Sequence, residues 1–189
     1  MKKYRNYIIV VVILSLLTFQ IYRELTRTDI LIWSEKPITW KNFNPSSWLP
    51  KGLGATMKTS IRYNINIDKN KAEVFAFINT KKSRVLDSIE PSKKMLRHEQ
   101  YHFNISEYYA RLFRKRLIEI GENKVNRKIA LQLLEVYGKK LVYMQSQYDS
   151  ITMHGLDLIE QPMWEIKIDS LLRRTNKYKN IDLYSYRNF

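Results

Sequence analysis

The chain has no cysteine. Disulfide bridges, cysteine-ligated zinc, a thiol nucleophile and a lipid anchor on an N-terminal cysteine are all excluded. Histidine is scarce as well: His98, His102 and His154 are the only three in 189 residues. Acidic residues are in the minority, 18 Asp and Glu against 33 Lys and Arg, for a formal net charge of +15. The excess is spread along the chain rather than gathered in one block. It reads as a basic surface suited to anionic envelope polymers or lipid headgroups. No nucleic-acid module and no aromatic–glycine stacking motif accompanies it, so nucleic acid is not an expected partner. There is no internal repeat and no second domain boundary. A hydrophobic share of 44%, with 13% aromatic, is enough for one real core and argues against global disorder.

The N-terminus carries an address. Lys2, Lys3 and Arg5 precede an uncharged run from Asn6 to Tyr22. As a helix that run would be about 25 Å long, just short of a hydrocarbon core. No small-x-small cleavage site follows in Leu17–Tyr22. The expectation is therefore an uncleaved signal anchor, with cleavage and secretion as the alternative. Beyond the run, Arg23 and Arg27 are matched by Glu24 and Asp29. The positive-inside rule then places residues 23 onward outside the cytoplasm, in the periplasm or the extracellular space. Residues 1–28 read as anchor and short linker, and residues 29–189 as one domain.

Within that domain the periodicities predict an α+β fold. Short strands are expected around Trp33 and Trp40, and a loop from Asn42 to Gly54, where Pro45, Pro50, Gly52 and Gly54 cluster. From Met57 to Ile67 apolar and polar residues alternate, the pattern of a half-buried strand. Asp68–Lys71 reads as a turn and Ala72–Asn79 as the returning strand of a hairpin. Lys81–Glu90 reads as a loop. Three helices follow: one opening at Pro91–Ser92 and stopping at Gly121, one over 126–147 and one over 162–174. The second has an expected apolar face of Ile129, Leu133, Leu134, Val136, Leu141 and Met144.

The chemistry concentrates in Arg97-His98-Glu99-Gln100-Tyr101-His102-Phe103, which contains His-Glu-x-x-His. Positions four apart lie on one helix face, about 40° apart around the axis. His98 and His102 can thus offer two imidazoles to one Zn²⁺, with Glu99 beside the open coordination positions as general base. A catalytic zinc usually has a third protein ligand. Glu107 and Arg111 point round the helix, away from the pair. His154 is the preferred third ligand, brought back by an antiparallel second helix. Asp149 is the competitor, either as a direct ligand or as a hydrogen-bond partner for a ligand histidine. Tyr148 could donate to a developing oxyanion, although a core role suits it better.

These residues resemble a bacterial family described as predicted secreted zinc-dependent proteases, a domain of unknown function. The resemblance lies in His-Glu-Gln-x-His-Phe at 98–103, Tyr-Ala-Arg at 109–111 and Tyr-Asp-x-x-Thr-x-His-Gly at 148–155. Trp-Lys-Asn-Phe at 40–43 and the Ala-Thr strand entry at 55–56 are similar too. It covers roughly residues 30–172. It implies a zincin-like metallopeptidase in the bacterial envelope or outside the cell, with His98, Glu99, His102 and His154 as its site.

The resulting expectation is an N-terminal membrane helix, a small antiparallel sheet or hairpin, and two or three long helices carrying a zincin-like site. One Zn²⁺ per chain would serve hydrolysis of a peptide or protein substrate. By analogy with zincin-like sites, Ala72–Asn79 is the expected edge strand for an extended substrate. The alternative is a metal-stabilised envelope binding or scaffold protein without turnover.

Overall fold

The computed structural model describes residues 29–34, 36–66, 71–121 and 124–183. The expected anchor and linker, residues 1–28, lie outside the described residues. So do residues 67–70 of the hairpin turn and residues 184–189. Among the described residues, no helix is long and apolar enough to cross a membrane.

The alternation after Met57 becomes strand β4 (Thr59–Asn66), paired antiparallel with β5 (Lys71–Asn79). A short strand, β1 (Ile30–Ile32), pairs with the far edge of β5, giving a three-stranded sheet in the order β1-β5-β4. The more continuous apolar character of β5 reflects its central place. Val74, Ala76 and Ile78 have no exposed surface, and Phe75 is buried.

That central place corrects one expectation: Ala72–Asn79 is not an open edge. β4 covers one side of it, and β1 covers Phe77–Asn79 on the other. On that same other side the Val74 amide donates to the Ile181 carbonyl and the Trp33 amide to the Ala76 carbonyl.

A second small sheet forms, with two of its three strands where loops were expected and the third at the expected strand entry, 55–56. β2 (Asn44–Ser46) runs parallel to β6 (Arg84–Leu86), and β3 (Ala55–Thr56) pairs antiparallel with the other side of β6. Trp40 lies in a 3₁₀ turn, Trp40–Asn42, and not in a strand.

Three helices complete the domain: α1 (Lys93–Ile120), α2 (Arg127–Thr152) and α3 (Glu160–Arg174). Their starts are chemically marked. The Ser92 hydroxyl accepts from the Met95 amide, the Asn126 side chain accepts from the Ile129 amide, and Asp157 accepts from the amides of Ile159 and Glu160. Each such bond satisfies a backbone donor that the helix itself cannot. Gly121, with φ +84°, ends α1 as expected.

Phe103, Ile105, Phe113 and Leu117 of α1 form the centre of the core with Ile61 and Val74 of the sheet, Leu141 and Met144 of α2, and Trp164 and Ile168 of α3. Burying a side chain such as Phe113 completely contributes about 1.5–3 kcal/mol. Val136, expected on the inner face of α2, is exposed.

Candidate metal centre

The second and third turns of α1 carry the His-Glu-x-x-His motif, and its residues divide their labour. Gln100 accepts from the Ile38 amide at 2.7 Å, and the Tyr101 hydroxyl donates to Asp169 at 3.1 Å. These two moor the helix to the N-terminal segment and to α3. His98 and Glu99 are buried at 3% and 4% exposure, and with His102 they line a cleft of about 510 Å³.

The last turns of α2 meet these turns of α1, so the two helices run antiparallel. Gln145, Tyr148, Asp149 and Thr152 recur at helical spacing and share one face of α2. Gln145 donates to the His102 carbonyl at 3.3 Å and to the Ser106 hydroxyl at 3.1 Å. The Tyr148 ring stacks on His98, with centroids 4.7 Å apart and planes 15° apart.

One position further along, Asp149 reaches the histidine pair. Its Oδ1 lies 3.1 Å from His98 Nε2 and 2.7 Å from His102 Nε2, and the two nitrogens are 3.2 Å apart. Asp149, treated as the lesser candidate on sequence, is therefore the group that joins the pair.

His154 is close by but outside this trio. Its Nδ1 lies 3.4 Å from Asp149 Oδ1, and its side chain is 47% exposed. It is held there by a left-handed turn at the end of α2, with φ of +49° at Met153, +55° at His154 and +81° at Gly155. Left-handed backbone costs a non-glycine residue roughly 1–2 kcal/mol. Gly155 also makes a close approach: a Cβ there would stand 2.9 Å from Cβ and Cγ of His98. The glycine lets the turn lie directly against the first histidine.

The hydroxyl of Tyr148 does not line the cleft. It accepts from Gln161 Nε2 at 2.6 Å, faces the His98 carbonyl at 3.5 Å, and the residue has no exposed surface. Its observed place is in the wall behind His98.

The trio fits a divalent ion in both donor chemistry and spacing. Two imidazole nitrogens and a carboxylate oxygen are ordinary zinc ligands. At bond lengths of about 2.0–2.2 Å, zinc spans a tetrahedral edge of roughly 3.3 Å, near the separations found here. A second observation points the same way. Oε2 of Glu99 is buried, has no hydrogen-bond partner among the described residues, and belongs to a side chain lining the same cleft. A buried unpaired carboxylate oxygen is costly unless something in the site answers it.

The electrostatics are those of a coupled cluster. Burial pushes the Glu99 carboxyl up, and His102 and His98 pull it only part of the way back. Burial would also raise Asp149, but hydrogen bonds from His102 and His98, as donors in their doubly protonated form, overcome it and hold that carboxyl well below the usual range. For His102, burial works to lower the value. The bond to Asp149 and the charges of Glu99 and Asp149 outweigh it and leave it raised.

The other cleft walls come from the segment Gly52–Met57, which includes β3, and from Leu86, Ile89 and Met95. β3 is an outer strand of its sheet, and its residues Ala55 and Thr56 line the cleft.

No family model matches the chain, and no curated protein and no solved structure matches it. The resemblance to the zinc-dependent protease family accordingly rests on the motif residues quoted for it.

Proposed function

We propose that this chain is a zinc-dependent metallopeptidase, held at a membrane by its N-terminal segment with the domain outside the cytoplasm. The observation that carries the proposal is the convergence of His98 Nε2, His102 Nε2 and Asp149 Oδ1 beside the buried, unpartnered Glu99 oxygen in one open cleft. His98, His102 and Asp149 would hold the ion, with His154 at the rim. A bound zinc ion supplies Lewis acidity and lowers the pKa of water toward about 7.

The remaining work belongs to the chain. Glu99, with its carboxyl raised by burial, takes a proton from the attacking water at its free Oε2 and delivers it to the departing amine. The outer edge of β3 is placed to align an extended peptide along the cleft. The basic, uncharged-run N-terminus supports the anchored arrangement, and the +15 charge suits an anionic envelope surface.

The test is hydrolysis of a quenched-fluorescent peptide library by zinc-loaded wild type and Glu99→Gln. Turnover by wild type and its loss in Glu99→Gln with zinc retained is the expected result. Equal turnover by both would remove Glu99 from the mechanism.

One observation favours a second reading. His154 lies beside Asp149 but outside the trio, and a rotation of its exposed side chain toward the ion would close a four-ligand set, as structural zinc sites have. The domain would then be a metal-stabilised binding protein. Chelation would unfold it, whereas the peptidase would lose turnover and keep its fold.

A further inference from the structure

Behind His98 lies a chain of hydrogen bonds that the motif does not include. It begins at Arg97, whose Nε lies 2.8 Å from both carboxylate oxygens of Glu165 and whose Nη2 lies 2.5 Å from Oε2. Glu165 Oε1 then receives Gln161 Nε2 at 2.9 Å, one helical turn earlier on α3. Gln161 Oε1 in turn lies 3.2 Å from Nδ1 of His98. Gln161 and Glu165 are each 5% exposed.

The order of donors along this chain follows from chemistry. Arginine only donates, and the carboxylate it grips only accepts. The Gln161 atom facing Glu165 must therefore be the amide nitrogen. Tyr148 agrees, since its hydroxyl accepts the other Gln161 N–H and is left free to donate toward the His98 carbonyl. With the amide nitrogen committed on that side, its oxygen faces His98. An amide oxygen only accepts, so Nδ1 of His98 must carry the hydrogen.

We infer that Gln161, oriented by Glu165 and Arg97, is a positioning residue that fixes neutral His98 as the Nδ1–H tautomer and so leaves a lone pair on Nε2. That lone pair faces Asp149 Oδ1 at 3.1 Å, an acceptor opposite an acceptor, an arrangement that calls for a cation between them. The opposite tautomer would put a hydrogen where a ligand atom is required. The consequence for zinc rests on the proposed metal site; the tautomer itself does not. Partners of this kind behind a metal ligand change metal affinity by about 10–100-fold.

The experiment uses the full chain in detergent, with two readouts. The first is the ¹⁵N–¹H imidazole spectrum of the metal-free protein at about pH 9, well above the ordinary histidine value. It is readable because the chain has only three histidines. The second is zinc affinity by competition with a chromophoric chelator. Wild type should show the Nδ1–H tautomer at His98.

Glu165→Gln frees the Gln161 amide to turn over. It should give mixed tautomers and weaken zinc by about 10–100-fold. Adding Gln161→Glu to Glu165→Gln restores the donor order with the two side chains exchanged. Arg97 then donates to the new amide oxygen, the amide nitrogen donates to the new carboxylate, and His98 Nδ1 donates to that carboxylate as well. The double variant should recover both the tautomer and the affinity, which repacking alone would not do.

An Nε2–H tautomer in wild type would overturn the inference. So would Glu165→Gln leaving spectrum and affinity unchanged. Wild type that shows the Nδ1–H tautomer and takes up no zinc upholds the inference and removes the metal reading instead.

Discussion

Helix α1 carries two buried polar clusters, at residues 98–102 and 107–114, and they are built in opposite ways. In the second, Glu107 is 1% exposed and its Oε1 receives Arg111 Nε at 2.8 Å and Arg114 Nη2. The arginines spend other donors on the carbonyls of Leu172 and Val74, tying α1 to α3 and to β5. Acid and base answer each other, and the result is scaffold. In the first cluster two histidines and a carboxylate point their ligand atoms at one spot, and Glu99 keeps a buried oxygen with no hydrogen-bond partner among the described residues. Burial alone therefore does not distinguish a structural charge from a working one. What distinguishes the two glutamates is the answer each receives: Glu107 is gripped by two arginines, whereas Oε2 of Glu99 has no hydrogen-bond partner among the described residues.

The comparison can be broken most sharply at the two glutamates. Glu99→Gln should lower peptide turnover by about 10²–10⁴-fold while zinc content stays unchanged. Its stability should hold or rise at neutral pH. Burial places the folded Glu99 value above the unfolded one, so ionising the native carboxyl costs stability as pH rises through the carboxylate range. The glutamine has no such cost, and thermal denaturation of the metal-free variant reads it.

Glu107→Ala should do the reverse. It strands two buried guanidiniums and should cost about 3–5 kcal/mol in denaturant unfolding. The fraction that remains folded should keep its zinc.

The glycines offer a finer contrast. Gly155→Ala should pay left-handed strain and displace His98, weakening zinc about tenfold in a chelator competition. Gly121→Ala has φ +84° and, among the described residues, nothing within 4 Å of the added methyl. Its backbone, at ψ +142°, lies in a region essentially confined to glycine, so the variant should lose about 1–3 kcal/mol of stability and leave zinc affinity alone.

The smallest effect is in pH. The folded value of His102 is raised above its unfolded one. Its contribution is thus fully present below about pH 6.5 and is lost as pH rises through the folded value. The metal-free wild type should lose stability over that rise by at most about 1.4 kcal/mol per pH unit from this group. The same scan on His102→Gln should be flatter.

Much of this architecture was legible in the residues. The alternation from Met57 to Ile67 gave β4, and Ser92 and Gly121 bracketed α1 within a residue or so. What was hidden came from long-range pairing. Three-residue strands such as β2 and β6 carry too little period to be read, and the centrality of β5 depends on β1, which arrives from far along the chain.

The place of Asp149 was hidden by one boundary. With the second helix ended at Gln147, Asp149 falls outside it and helical geometry does not set where it aims. Yet no proline or glycine interrupts 148–152, and Leu141, Met144, Gln145, Tyr148, Asp149 and Thr152 make one helical stripe. Followed to its end, that stripe aims Asp149 at α1. The Gln161–Glu165 pair is spaced four apart on α3, but nothing local says that it stands behind His98.

The central claim is that His98, His102 and Asp149 hold one metal ion. The most direct test is zinc bound per purified chain at equilibrium, measured by elemental analysis on wild type, Asp149→Ala and His154→Ala after loading and buffer exchange. The account expects about one zinc per wild-type chain, a sharp loss in Asp149→Ala and a smaller change in His154→Ala. Zinc-free wild type, or zinc that survives in Asp149→Ala and disappears in His154→Ala, would contradict it.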